Sequence, residues 1–189
     1  MCGIAGVVSL DKQKINKSIV PLLVDSIKHR GPNHSGSWIS KDQSVLLVNT
    51  RLSILDLTKK GNQPFYSKDK RYIIVFNGEI YNFKDLKKNL KEFKFYSETD
   101  TEVLLYLYIK YKSKCLKMLE GMFSFAIYDN LKDELFCARD HFGIKPFYYY
   151  NFLNKFWFSS EIKSFFIINK NIKKNEQSIY RYLSSEYHE

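Results

Sequence analysis

A chain of 189 residues, 44% hydrophobic and 26% charged, is long enough for one domain with a real core and too short for two large ones. This composition excludes a disordered tail, a collagen-like fibre and a disulfide miniprotein. The net charge of +10 invites a nucleic-acid or membrane partner, but the excess is nearly all Lys in a chain also rich in Asn, Ile, Phe and Tyr, a pattern of compositional drift.

The chain starts Met-Cys-Gly-Ile, with no basic stretch before its short apolar run, so it is a poor signal peptide, and no run is long enough to cross a bilayer. Residues 3–10 predict a buried strand in which Gly3 and Gly6 allow close backbone approach. A helix follows, with Ser18 as N-cap, Pro21 in the first turn and Ile19, Leu22, Leu23 and Ile27 as its core face, ending before Gly31-Pro32. Short strands are expected at 37–39 and 44–49, then a segment that begins at Arg51. Residues 72–76 read as a strand running into Asn77-Gly78, a pair that usually marks a turn.

Residues 84–93 predict a helix whose Lys84, Lys87, Lys88 and Lys91 form a solvated face without the aromatics that nucleic-acid binding requires. Thr99-Asp-Thr-Glu102 fits a capping box and opens a helix apolar nearly all round, which must be covered on both sides. Strands are expected again at 122–128, 134–138, 147–150 and 155–158, with turns at 129–130 and 151–154. Residues 179–183 begin a short helix. Strand blocks segregated from helices predict an α+β fold: two antiparallel sheets with helices packed outside.

Three unclustered cysteines (Cys2, Cys115, Cys137) make neither a disulfide framework nor a zinc site, which places the chain in a reducing cytoplasm. Cys2 is the informative one. If the initiator Met is removed, Cys2 carries a thiol and an α-amine of pKa about 7.7–8.0, a nucleophile and its own base. Asn77 and Gly78 can aim two N–H groups at one point, as an oxyanion hole requires. Arg51 suits a carboxylate and Asp100 an ammonium. Each feature alone has a bland explanation: a chance Cys, a plain turn, a surface Arg, an ordinary helix-start Asp. Together they describe a site for an α-amino acid with an amide side chain. Cys115 and Cys137 read as core residues, Arg139-Asp140 as a buried or loop ion pair near the site, and His141 as structural.

Seven segments, in order and at consistent spacing, resemble the glutaminase domain of class II glutamine amidotransferases, with glutamine-dependent asparagine synthetase the nearest branch. They are Cys2-Gly-Ile-Ala-Gly6, Arg30-Gly-Pro-Asn-His-Ser-Gly36, Arg51-Leu-Ser-Ile-Leu-Asp56, Asn77-Gly-Glu-Ile-Tyr-Asn82, Ser97-Glu-Thr-Asp-Thr-Glu102, Leu119-Glu-Gly-Met-Phe-Ser-Phe-Ala126 and Arg139-Asp-His-Phe-Gly-Ile-Lys-Pro146. The resemblance implies a four-layer αββα sandwich of the N-terminal-nucleophile hydrolase fold. It implies that residues 1–165 form the glutaminase domain and that 166–189 start an interdomain linker or truncated tail. By that resemblance Cys2 attacks the glutamine amide, Asn77 and Gly78 hold the oxyanion, and Arg51 holds the substrate carboxylate. Asp100 and Glu79 take the α-ammonium, and Leu52, Ser53, Ile54 and Leu55 line the pocket. Three positions depart from the family pattern: Thr50, Asn62 and Asn33, the last expected to weaken the loop over the glutamine.

No cofactor or metal is expected for this domain. ATP and Mg belong to a synthetase domain, and this sequence has neither a Walker A segment nor a Ser-Gly-Gly-x-Asp loop to carry the ATP step. The expected partners are glutamine and an adenylating synthetase domain or separate subunit, with a homodimer compatible and no nucleic acid or membrane. The chain is expected to be a fragment or a short protein with a separate synthetase. Two rivals stay open: a glutaminase that releases free ammonia, and a catalytically silent docking module of the same fold.

Overall fold

The computed structural model describes residues 1–185. Nine strands form two antiparallel sheets. The first has the order β2-β3-β1-β9-β8, from β1 (Gly3–Ser9), β2 (His34–Ile39), β3 (Val45–Arg51), β8 (Tyr148–Phe152) and β9 (Lys155–Ser159). The second has the order β4-β5-β6-β7, from β4 (Phe65–Tyr66), β5 (Tyr72–Ile80), β6 (Gly121–Asp129) and β7 (Glu134–Arg139).

Period-two patterning decides what each strand packs against. In β3, Val45 and Leu47 face the other sheet, whereas Leu46 and Val48 face helix α1 (Ile19–Ile27). In β5, Ile73 and Val75 face the first sheet, whereas Ile74 and Phe76 face helices α2 (Phe83–Lys88) and α3 (Asp100–Tyr111). Strands apolar on both faces are covered on both, and the result is the expected α+β four-layer αββα sandwich. β1 runs through the middle of its sheet, and there Gly6 has no room for a side chain: an added Cβ would sit 2.5 Å from the Phe158 ring.

Helix α3 is buried almost throughout, as its all-round apolar pattern requires. Its cap is half of the expected box. The Thr99 hydroxyl accepts the Glu102 N–H, but the Glu102 carboxylate turns to the N–H groups of Tyr96 and Ser97, at 2.8 and 2.7 Å. α1 starts after Ser18, whose side chain caps nothing, and its Leu22 points outward half-exposed; Leu23 and Ile27 carry the packing with Val20 and Val24. α2 stops at Lys88, short of the predicted end at 93. Cys115 and Cys137 do pack in the apolar interior. The last of the described elements is α4 (Glu176–Ser185).

Arg139 and Asp140 make no ion pair with each other. Arg139 donates to the carbonyls of Gly143 and Lys145, and Asp140 accepts the N–H groups of Phe123, Phe142, Ile144 and Lys145. Arg139 ends β7 and Asp140 begins the loop, and each is held by the backbone of the 140–146 loop.

Leu104 and Leu22 offer a contrast in stability. Leu104→Ala empties a fully buried site and is expected to cost about 2–5 kcal/mol in urea unfolding. Leu22→Ala is expected to stay within about 1 kcal/mol, because half of that side chain is already in water.

Candidate active site

A cavity of about 170 Å³ opens where the two sheets meet the first turn of α3. Cys2 enters it from the residue preceding β1. Arg51 comes from the end of β3, Asn77, Gly78 and Glu79 from β5, and Asp100 from α3. Leu52, Ile54 and Leu55 complete the wall on the loop side. Of the predicted site residues only Ser53 is absent from the wall; its N–H is turned to Asn33 Oδ1 at 2.9 Å. Asn33 therefore holds that loop through a neutral amide acceptor.

Asn77-Gly78 is not a turn. β5 continues through it, with Asn77 opposite Ser124 and Gly78 opposite Phe123, because the apolar pairing with β6 runs to Ile80. Asn77 shares the face of Ile73 and Val75, so its side chain enters the space between the sheets near Cys2. There it is buried, and neither its Nδ2 nor its Oδ1 has a partner among the described residues. An unpaired buried amide costs about 1–3 kcal/mol, and such a group asks for an explanation.

The backbone beside it is equally exposed to the cavity. N–H groups of alternate residues leave the same edge of a strand. Phe76 N–H goes to Gln63 Oε1 at 2.6 Å, and Ile80 N–H goes to Asp100 Oδ2 at 3.0 Å. The Gly78 N–H lies between them on that edge and faces the cavity. Gly78 must be Gly: a Cβ would come within 2.4 Å of the Met122 carbonyl.

Cys2 Sγ lies 3.4 Å from the Leu52 N–H and 3.7 Å from the Leu52 carbonyl. Burial pushes its thiol up from the ordinary value and Asp100 adds to this; the Leu52 N–H, the amino terminus and Arg51 pull against it. The thiol therefore keeps its proton at neutral pH and needs a base to become a nucleophile.

Arg51 is buried, and its four Nη hydrogens are all engaged. Nη1 donates to the Thr58 carbonyl and Asn62 Oδ1, both at 3.0 Å, and Nη2 donates to the carbonyls of Leu55 at 2.9 Å and Asp56 at 2.5 Å. It fastens the 52–58 loop to the end of β3, and Asn62, one of the departures from the family pattern, contacts it directly. Asp100 is buried, and its carboxyl is pushed up to about 6 by that burial, against the pull of the Ile80 N–H.

Sequence reasoning passed over Gln63, Thr101 and Lys145, all of which line the cavity. The Arg139 to Pro146 segment contained Lys145, but no periodicity marks which residue of a loop turns inward. His141, in the same loop, is exposed and does not line the cavity. Among the described residues no group of three or more His, Cys, Asp or Glu could hold a metal ion, and no helix is long and apolar enough to cross a membrane.

Two stacked antiparallel sheets between helix layers, with a Cys at the start of a central strand, are the architecture of the N-terminal-nucleophile hydrolases. The comparisons place it further. The family model for the glutamine amidotransferase domain matches residues 1–189, and the chain belongs to that family. It is 40% identical over 169 residues to asparagine synthetase (glutamine-hydrolyzing) 3 of Bacillus subtilis, covering 87% of this chain and 27% of that protein. It is 36% identical over 192 residues to asparagine synthetase (glutamine-hydrolyzing) 1 of the same organism, covering 99% of this chain and 30% of that one. The chain thus spans about three tenths of these relatives' length. The fold matches that of glutamine phosphoribosylpyrophosphate amidotransferase from B. subtilis with a TM-score of 0.73 at 20% identity, over 88% of this chain and 43% of the other.

Asp100 makes stability depend on pH. Its folded carboxyl titrates near 6, above the ordinary 3.8, so the folded state holds a proton that the unfolded state has lost. Wild type is therefore expected to lose stability as pH rises from about 4 through 6, by on the order of 2 kcal/mol, relative to Asp100→Asn. Urea unfolding of both proteins across that range checks it, and parallel curves would mean that Asp100 titrates normally.

Proposed function

We propose that this chain hydrolyses the side-chain amide of glutamine to glutamate and ammonia, with Cys2 as an N-terminal nucleophile. The observation that carries this reading is the buried, unpartnered Asn77 amide beside the outward Gly78 N–H, in the same cavity as the Cys2 thiol. Donors held in place for a charge that appears only during the reaction are the means by which such sites lower a barrier.

The steps follow from the groups present. Removal of Met1 leaves the α-amine on Cys2. The amine takes the thiol proton, and sulfur attacks the amide carbon. The oxyanion forms against Asn77 Nδ2 and the Gly78 N–H. The α-ammonium gives its proton to the leaving nitrogen, ammonia departs and a thioester remains. Water then adds to the thioester, glutamate leaves and the thiol is restored. Asp100 and Glu79 take the substrate's ammonium. Arg51 draws its carboxylate by charge and, through the loop carbonyls it holds, keeps the Leu52, Ser53, Ile54 and Leu55 backbone in place around it.

The relatives bear the name asparagine synthetase, and we take the ammonia to serve an amide-forming step on a synthetase domain or subunit that uses ATP and Mg. Residues 1–165 are the glutaminase unit in this reading and 166–189 the start of the connection to that partner. Three free cysteines suit a reducing compartment, which we take to be the cytoplasm. A second reading, a silent module of the same fold, is favoured by one feature: Met1 lies against the cavity, with its Sδ 3.2 Å from Lys145 Nζ. A chain that keeps Met1 has its amine on the wrong residue.

Glutamate release from glutamine separates the readings. Cys2→Ala is expected to abolish it, and Asn77→Ala to lower kcat by about 10²–10³-fold with less effect on KM. Equal rates for wild type and Cys2→Ala would remove Cys2 from the mechanism.

A further inference from the structure

Lys145 stands in the 140–146 loop and is buried in the cavity wall. Its Nζ has one hydrogen-bond partner among the described residues, the thioether of Met1, which is a weak acceptor. A buried ammonium without an anion is expensive, and such charges persist where they serve a site. On the other side of residue 2, Arg30 donates Nε to the Cys2 carbonyl at 3.0 Å and Nη1 to Glu161 at 2.7 Å, while its Nη2 is buried without a partner. The start of the chain therefore has two cations close by, Lys145 buried and Arg30 largely so. Loss of Met1 removes the thioether and puts the amino group on Cys2, which lines the same cavity as Lys145.

We propose that Lys145 is a positioning residue whose ammonium, with Arg30 behind it, keeps the α-amine of processed Cys2 unprotonated at neutral pH. A cation beside an amine disfavours adding a second positive charge, so the amine is free to take the thiol proton; the proton passes from Sγ to nitrogen and no other reactant is needed. This rests on the reading of Cys2 as the N-terminal nucleophile.

Most of the carboxylates around Cys2 are already engaged by other groups. Glu161 is committed to Arg30 and His29, and Asp140 to four backbone N–H groups. Asp100 accepts the Ile80 N–H, and burial lifts its carboxyl to about 6, so near neutrality it is largely ionised. Glu79 is the opposing carboxylate on the wall, and Arg51 adds a third cation. Burial drives Lys145 itself below the ordinary lysine value, with Arg30 adding to the effect and Cys2, Glu79 and Asp140 pulling against it.

The test is the pH profile of kcat/KM for glutamine hydrolysis by protein whose intact mass shows Met1 removed. In wild type the acid limb is expected below the ordinary α-amine range of about 7.7–8.0, and a limb within or above that range overturns the proposal. In Lys145→Met the limb is expected to move up by about one pH unit, while Lys145→Arg, which keeps the cation, leaves it in place. An unmoved limb in Lys145→Met, or an equal shift in both variants, overturns the role of Lys145 and leaves Cys2 as the nucleophile untouched. Should Lys145→Met fail to fold, the position of the wild-type limb decides alone. Activity equal in wild type and Cys2→Ala would instead refute the underlying reading.

Discussion

The site depends on a sheet edge that is left open. β4 pairs with β5 through two residues only, Phe65 with Ile74 and Tyr66 with Ile73. Beyond that point β5 has β6 on one side and no backbone strand on the other. An open edge inside a protein must hand its N–H groups to something. The Gln63 side chain takes Phe76, where the next backbone pairing would have fallen, and Asp100 takes Ile80. Gly78 lies between them with its N–H turned to the cavity. Had β4 been longer, that donor would have been spent on a ladder bond and β4 would have filled the cavity.

The second half of the arrangement comes from β1. A strand that starts at Gly3 in the centre of a sheet delivers residue 2 to the end of the sandwich, between Arg30, the Leu52 loop and β5. Its position is over-determined by backbone pairing on both sides, so the thiol is placed by the most rigid part of the fold. Arg51 does the same for the loop, spending its donors on four acceptors instead of leaving them for solvent. Lys145 and Arg30 then tune what the strand has placed.

Much of this was legible in the sequence. Strand blocks segregated from helices predicted two antiparallel sheets with helices outside, and a helix apolar all round demanded two covered sides; the four-layer order came from the family resemblance. Cys2, Asn77, Gly78 and Asp100 each had an ordinary explanation and stood out only in combination and through the family resemblance. The errors have particular causes. Asn-Gly is a turn signal when the strand ends, but nothing local reports that β6 pairs onward to Ile80. Leu22 fits the helical period and still faces solvent, since the arc covered by β3 and the C-terminal segment is narrower than the apolar stripe. Arg139 and Asp140 looked like a pair because of their opposite charge, whereas each is taken up by backbone groups that only the folded loop supplies. Lys145 carried no signal at all, because its burial is decided by a loop that only the assembled fold closes.

The central claim is that sulfur of an N-terminal Cys2 carries the substrate's acyl group during turnover. Rapid mixing with glutamine, acid quench and mass spectrometry of the N-terminal peptide tests it most directly. The account predicts a peptide that begins at Cys2 and bears one glutamyl group as a thioester. Glutamate formation by a chain that still begins with Met1, or a glutamyl group on Cys115 or Cys137 with Cys2 unmodified, would contradict it.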